Sequence, residues 1–67
     1  MRYLVLEIQS GDTISVLSNE FDNLNSAENK YHTILAYAAI SKVPIHSALL
    51  MTEDGIVNQQ YTYRHDN

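Results

Sequence analysis

Residues 25–55 read NSAENKYHTILAYAAISKVPIHSALLMTEDG, and the order of signals in this stretch decides the fold. Asn25 is a good helix N-cap, and Glu28, three residues on, can reach back to the cap's own N–H; Asp22 is a rival cap one turn earlier. From about Ser26 to Lys42 the residues Ala27, Tyr31, Ile34, Leu35 and Ala38 fall on one helical stripe. Lys42 suits the negative end of the helix dipole. Pro44 cannot continue the helix and pushes Val43 towards an extended conformation. Ile45 to Thr52 then reads as a strand that is apolar on both sides, with Ile45, Leu49 and Met51 against Ala48 and Leu50. Glu53-Asp54-Gly55 is a hairpin signal of the type I′ kind, and a further strand is expected over Ile56 to Tyr63, with Val57, Tyr61 and Tyr63 on one side.

On the N-terminal side, Tyr3 to Gln9 alternates, with Leu4, Leu6 and Ile8 on one side and Tyr3, Val5 and Glu7 on the other, which is the period of a strand. Ser10-Gly11-Asp12 punctuates it, glycine being free to take positive φ, and a second strand follows over Thr13 to Leu17. The expected fold is therefore α+β in the order ββαββ: one four-stranded antiparallel sheet with one helix packed on one face. No repeat, linker or low-complexity run interrupts the chain, and residues 1–67 are expected to make a single domain.

A domain of this size buries only about 60% of the surface its unfolded chain exposes, so it needs a supplement to its core. Cysteine is absent, which excludes disulfides and thiolate metal sites. Self-association is the supplement left. The opening Met1-Arg2-Tyr3-Leu4-Val5-Leu6-Glu7 carries too short an apolar run for a signal-peptide core, and no stretch approaches the ~18 apolar residues of a membrane span, so a cytoplasmic protein is expected. The net charge is −4, and Arg2, Lys30, Lys42 and Arg64 are scattered, which argues against nucleic acid as a ligand. The carboxylates are spread singly and form no run that would imitate nucleic acid.

Residues of catalytic type are present without catalytic spacing. His32, His46 and His65 are not at metal-ligand spacing, and their expected role is to bond backbone or water at element ends; no metal and no cofactor is expected. His32 with Ser26, Ser41 or Ser47 lacks a nucleophile elbow, and the two glycines are both assigned to hairpin turns, so neither an oxyanion loop nor a phosphate cradle follows. Glu53 and Asp54 are accounted for by their turn. No enzyme is expected. Tyr31 and Tyr61 are expected in the core, and Tyr3, Tyr37 and Tyr63 at an interface or the surface. Asn58-Gln59-Gln60 marks either an edge strand facing water or a polar site.

One helix covers one face of a four-stranded sheet, and the other face is expected to show Tyr3, Val5, Leu17, Ile45, Leu49 and Met51. The helix poses the same problem, because Ile34 to Ile40 is apolar around its circumference apart from the Tyr37 hydroxyl. Contiguous apolar patches of this kind mark interfaces. The candidate interface residues are Val5, Leu17, Tyr37, Ile40, Leu49 and Met51, on the open sheet face, the second helix stripe or both, and the expected partner is the chain itself, as a dimer or a multiple of one.

Residues 27–55, with the opening RYLVLEIQ and the closing YTYRH, resemble a group of small proteins of Gram-positive bacteria, especially of the gut, and of their prophages. The Lys-Tyr-His helix and the Val-Pro-Ile-His lead into the third strand are the most specific parts. The resemblance implies no catalytic or binding residue. Its phage association implies two classes of function: a binding protein that inhibits or sequesters a host defence protein or small molecule, or an accessory part of a phage particle.

Overall fold

The sheet is built from the middle outwards, around the pairing of two strands that lie 35 residues apart in the chain. The structure, a computed structural model, describes residues 1–66. It contains β1 (Tyr3–Ser10), β2 (Ile14–Phe21), α1 (Leu24–Ile40), β3 (Ile45–Thr52) and β4 (Val57–Arg64). The strands form one sheet in the order β2-β1-β3-β4, and every neighbouring pair is antiparallel. β1 runs opposite to both β2 and β3, so β2 and β3 run the same way and α1 carries the chain between them across β1. The expected ββαββ architecture with one helix on one face is what the protein adopts.

The ends of the elements follow local chemistry. The helix begins earlier than expected: Asn23, in an extended conformation, is the cap, and its Oδ1 accepts the Ser26 N–H at 2.8 Å, in place of Asn25 or Asp22. Glu28 accordingly does not close a capping box and accepts a hydrogen bond from Gln59 Nε2 at 3.0 Å. The helix ends at Ile40, with Ser41 extended and Lys42 outside it. β2 extends to Phe21 rather than Leu17, because its ladder with β1 continues through Ser18, Asn19 and Glu20. The first hairpin turn is made without a left-handed glycine, since Gly55 alone has positive φ among the described residues. At the second hairpin the Gly55 N–H donates to Thr52 O at 3.0 Å and the Thr52 N–H donates to Ile56 O at 2.9 Å. Three residues are thus looped out with a left-handed glycine last, so the turn is not the expected I′ form.

Pairing register fixes which side chains share a face. Antiparallel partners point the same way, and Val5 lies opposite Leu50, Glu7 opposite Ala48, and Tyr3 opposite Thr52. These face the helix. Val5, Ala27, Tyr31, Ile34, Ala48 and Leu50 form the core, with Tyr3, Phe21 and Leu35 packed against it. Of these, Leu50 and Val5 are the largest side chains fully removed from water. Val5, expected on the open face, is therefore a core residue, and Tyr3 is on the same side: once Ala48 and Leu50 lie beneath α1, the residues opposite them on β1 must follow. Leu17 pairs with Glu7 and so also lies on the helix side, exposed at the sheet edge beyond the helix.

A register shift at Leu50/Met51 leaves Asn58 as an extra residue in β4, with Leu50 opposite Gln59 and Met51 opposite Val57. It turns Val57 to the side away from Tyr61 and Tyr63, where the unbroken alternation would have kept them together. Tyr61, expected in the core, is 51% exposed, because the helix lies mainly over the central strands β1 and β3.

Candidate functional site

Two places in the fold concentrate chemistry. The first is the C-terminal end of α1, where β1, β3 and the helix cap meet. His46 Nε2 lies 2.6 Å from Glu7 Oε2, and Gln9 Nε2 donates to the same carboxylate oxygen at 3.0 Å. On the other side of the ring, His46 Nδ1 lies 2.9 Å from Ser41 Oγ. His65 completes the end of the helix: its Nε2 donates to Ala38 O at 2.8 Å, and its backbone N–H donates to Pro44 O at 2.7 Å. The Tyr63 and His65 rings stack at 6.2 Å, and the Tyr61 and Tyr63 rings meet edge to face at 4.9 Å.

Serine, histidine and carboxylate in hydrogen-bonded sequence have the connectivity of an acyl-transfer triad. Geometry opposes that chemistry here. Ser41 caps a helix C-terminus, where carbonyl oxygens and the negative end of the dipole would repel a developing oxyanion. The Ser41 N–H and hydroxyl both reach Ala38 O, each at 3.3 Å, so the cap's donors are turned back into the helix. The His46 ring is buried, 4% exposed, so a substrate has no open approach to it. What the network does is join three elements: Glu7 on β1, His46 on β3 and Ser41 at the end of α1. A buried polar cluster whose members are all bonded fixes one packing of helix on sheet. Sequence reading placed His46 at an element end without seeing its partner, because Glu7 and His46 are 39 residues apart. The one available signal was a carboxylate inside an otherwise apolar strand. His32 lies exposed on the outer side of α1, edge to face with Tyr31, and among the described residues no group of three or more His, Asp or Glu side chains converges as a metal site would require.

The second place is the face of the sheet turned away from α1. Four rows cross it. At one end lie Glu20, Leu4, Met51 and Val57; next come Ser18, Leu6, Leu49 and Gln60; then Val16, Ile8, Ser47 and Thr62; and at the far end Ile14, Ser10, Ile45 and Arg64. Nine of these sixteen positions are aliphatic or Met, and no element of the described chain lies over them. Ile14 is 72% exposed and Val16 is 56% exposed. Of the expected interface residues, Leu49 and Met51 lie on this face, while Tyr37 and Ile40 are exposed on the outer stripe of α1 and Val5 and Leu17 are on the covered side. The open face has more apolar residues than the earlier reading gave it, since Leu4, Leu6 and Ile8 take the place of Tyr3 and Val5.

Beyond the Glu20 end, Arg2 joins the first strand to the second hairpin. Its backbone N–H donates to Glu53 Oε1 at 2.9 Å, and its guanidinium lies 3.4 Å from Glu53 and 3.7 Å from Glu20. The backbone hydrogen bond, and then the Arg2 charge, hold the Glu53 carboxyl below its ordinary value. Arg2, Tyr3, Leu4, Glu20 and Glu53 line a shallow cleft of ≈ 190 Å³, too small and too occupied by its own ion pairs for a ligand of metabolite size.

Among the described residues no helix is long and apolar enough to cross a membrane. No family model, curated protein or solved structure matches the chain.

Proposed function

We propose that the protein is a non-enzymatic, homodimeric binding module of the cytoplasm, whose two copies meet through the open face of the sheet. One observation carries the reading: four complete strands present a continuous, largely aliphatic surface that no element of the described residues covers. Strands of eight residues, four abreast, span about 26 by 19 Å. That is roughly 500 Å² per copy and about 1,000 Å² over a pair, the lower limit of a specific interface. The small core supports the same reading, because with only Val5 and Leu50 as large side chains fully buried the single chain has little stability of its own.

The resemblance to proteins of Gram-positive bacteria and their prophages supports a phage setting, in which the dimer binds a host defence protein or a small molecule. The same resemblance supports the second reading, an accessory component of the particle; copurification with particles separates the two. The net charge of −4 supports a partner other than nucleic acid. The interface itself is tested by light scattering on Leu49→Lys and Ile40→Lys. Leu49→Lys is expected to give monomers and Ile40→Lys to leave the dimer intact; the opposite pattern would move the interface to the helix stripe.

A further inference from the structure

The corners of the open face differ in a way that selects one arrangement of the two copies. Glu20 and Val57 stand at one end of the sheet, on the outer strands β2 and β4, and Ile14 and Arg64 stand at the other. The two charged corners are therefore diagonal to each other, and the two apolar corners occupy the second diagonal. That second diagonal continues through the face: Val57, Leu49, Ile8 and Ile14 follow one another from strand to strand and row to row.

Two copies packed face to face are related by a two-fold axis lying between the sheets, and four directions for that axis bring corner onto corner. An axis along the strands sets Glu20 over Val57 and Arg64 over Ile14. An axis across the strands sets Glu20 over Ile14 and Arg64 over Val57. Both place every charge against an aliphatic side chain, which desolvates it without a partner. An axis along the Glu20–Arg64 diagonal sets each charge on its own like. The remaining axis, perpendicular to the Glu20–Arg64 diagonal and within about 20° of the Val57–Ile14 one, sets Glu20 of each copy over Arg64 of the other and lays the apolar diagonal across its own copy. We infer that the dimer takes this fourth arrangement, with the two sheets crossing steeply, at roughly 70°, an aliphatic seam near the axis and two Glu20–Arg64 pairs at the rim. The inference rests on the open-face dimer proposed above and names its geometry. Near-orthogonal crossing is one of the two packings that stacked sheets adopt. Rim charges of opposite sign choose orientation and register more than they add affinity. Arg2 lies 3.7 Å from Glu20 and closer, at 3.4 Å, to Glu53, so Glu20 is only loosely paired and its carboxylate is left for Arg64 to meet.

The absence of cysteine makes the geometry directly readable. Within one copy the Glu20 and Arg64 corners lie roughly 24 Å apart, far beyond the ~7 Å that a disulfide can span, so a bridge between them must join two chains. The Glu20→Cys and Arg64→Cys variants are mixed in equal amounts and oxidised, beside Glu20→Cys mixed with Val57→Cys and Glu20→Cys mixed with Ile14→Cys. A disulfide joining the two different variants in the first mixture alone is the expected result; bridges between two copies of Val57→Cys or of Ile14→Cys, whose corners lie near the axis, are scored apart from it. A disulfide joining Glu20→Cys to Val57→Cys or to Ile14→Cys, or Glu20→Cys to itself, would overturn the arrangement while leaving the open-face dimer standing. Monomers by light scattering, or a dimer cross-linked in none of these mixtures, would overturn the open-face dimer with it. Charge reversal gives a second readout that needs no cross-link. Arg64→Glu is expected to weaken self-association about tenfold, two rim pairs being lost at once, and Glu20→Arg in the same chain to restore it. Additive weakening in the double variant would overturn the pairing.

Discussion

The two faces of the sheet are almost equally apolar, and they differ in what closes them. On the covered face the helix brings Ala27, Tyr31, Ile34 and Ala38 down onto Val5, Ala48 and Leu50, and of the polar residues that fall there Glu7 and His46 are bonded to each other, and His46 to the helix cap. On the open face Leu4, Leu6, Ile8, Leu49 and Met51 have no such cover, and the polar residues among them are mainly the small ones Ser10, Ser18, Ser47 and Thr62. The difference teaches that apolar content does not say which face is the core of the chain. A buried hydrogen-bonded pair of polar side chains between two strands does, because it is tolerable only where a cap completes its hydrogen bonds.

The largest effect should come from the covered face. Leu50→Ala or Tyr31→Ala removes side chains packed beneath or within the helix and is expected to cost about 2–5 kcal/mol, enough to leave a domain of this size largely unfolded by thermal denaturation. Near-normal melting of both would break the assignment of that face as the core. On the open face, Leu49→Lys is expected to act differently: it should abolish the dimer in sedimentation while the helical circular dichroism signal persists in the cold. Loss of helix and loss of dimer together would erase the distinction between the faces.

Smaller effects sharpen it. His46→Ala leaves the Glu7 carboxylate short of a partner, and a cost of about 1–3 kcal/mol in urea unfolding is expected. A Ser41→Ala change should cost less, since His46 keeps Glu7. Acid and base titrations act at opposite limits. Glu53 has its carboxyl held below the ordinary 4.5, so its contribution is present above that value and is lost as pH falls through the lowered one. Burial raises the Tyr31 hydroxyl above the ordinary 10.0, so the stability it supports is present below that pH and lost as pH rises through the raised value. The Glu53→Gln variant should show a shallower loss of melting temperature in acid, by a degree or two on the scale of an exposed ion pair. A chelator should leave the melting temperature unchanged; a fall of many degrees would reveal a metal held by the histidines.

The element order was legible in the chain because each element carries a local signal: alternation in Tyr3–Gln9, the 3.6-residue stripe of Ala27, Tyr31, Ile34 and Ala38, the stop at Pro44, and Glu-Asp-Gly before the last strand. β3 begins and ends where its sequence says. What was not legible depends on pairing across the chain. Val5 and Leu4 both fit an apolar face, and only the register of β1 against β3 decides that Val5 goes beneath the helix. The side on which Val57 lies is set by a bulge whose signal in Asn58-Gln59-Gln60 also reads as an edge strand, which it is. The Ser41–His46–Glu7 network was hidden for the same reason, its two strands being joined only by folding. Asn23 and Asn25 are chemically equivalent caps, and the choice between them is made by where β2 ends.

Sedimentation equilibrium of the unmodified chain at micromolar concentration tests the central claim most directly, since an uncovered four-stranded face is what the whole functional reading rests on. The mass expected is twice the 7.6 kDa of the single chain, falling to one copy in Leu49→Lys. A monomer at every concentration would contradict the claim, as would a dimer that Leu49→Lys leaves intact.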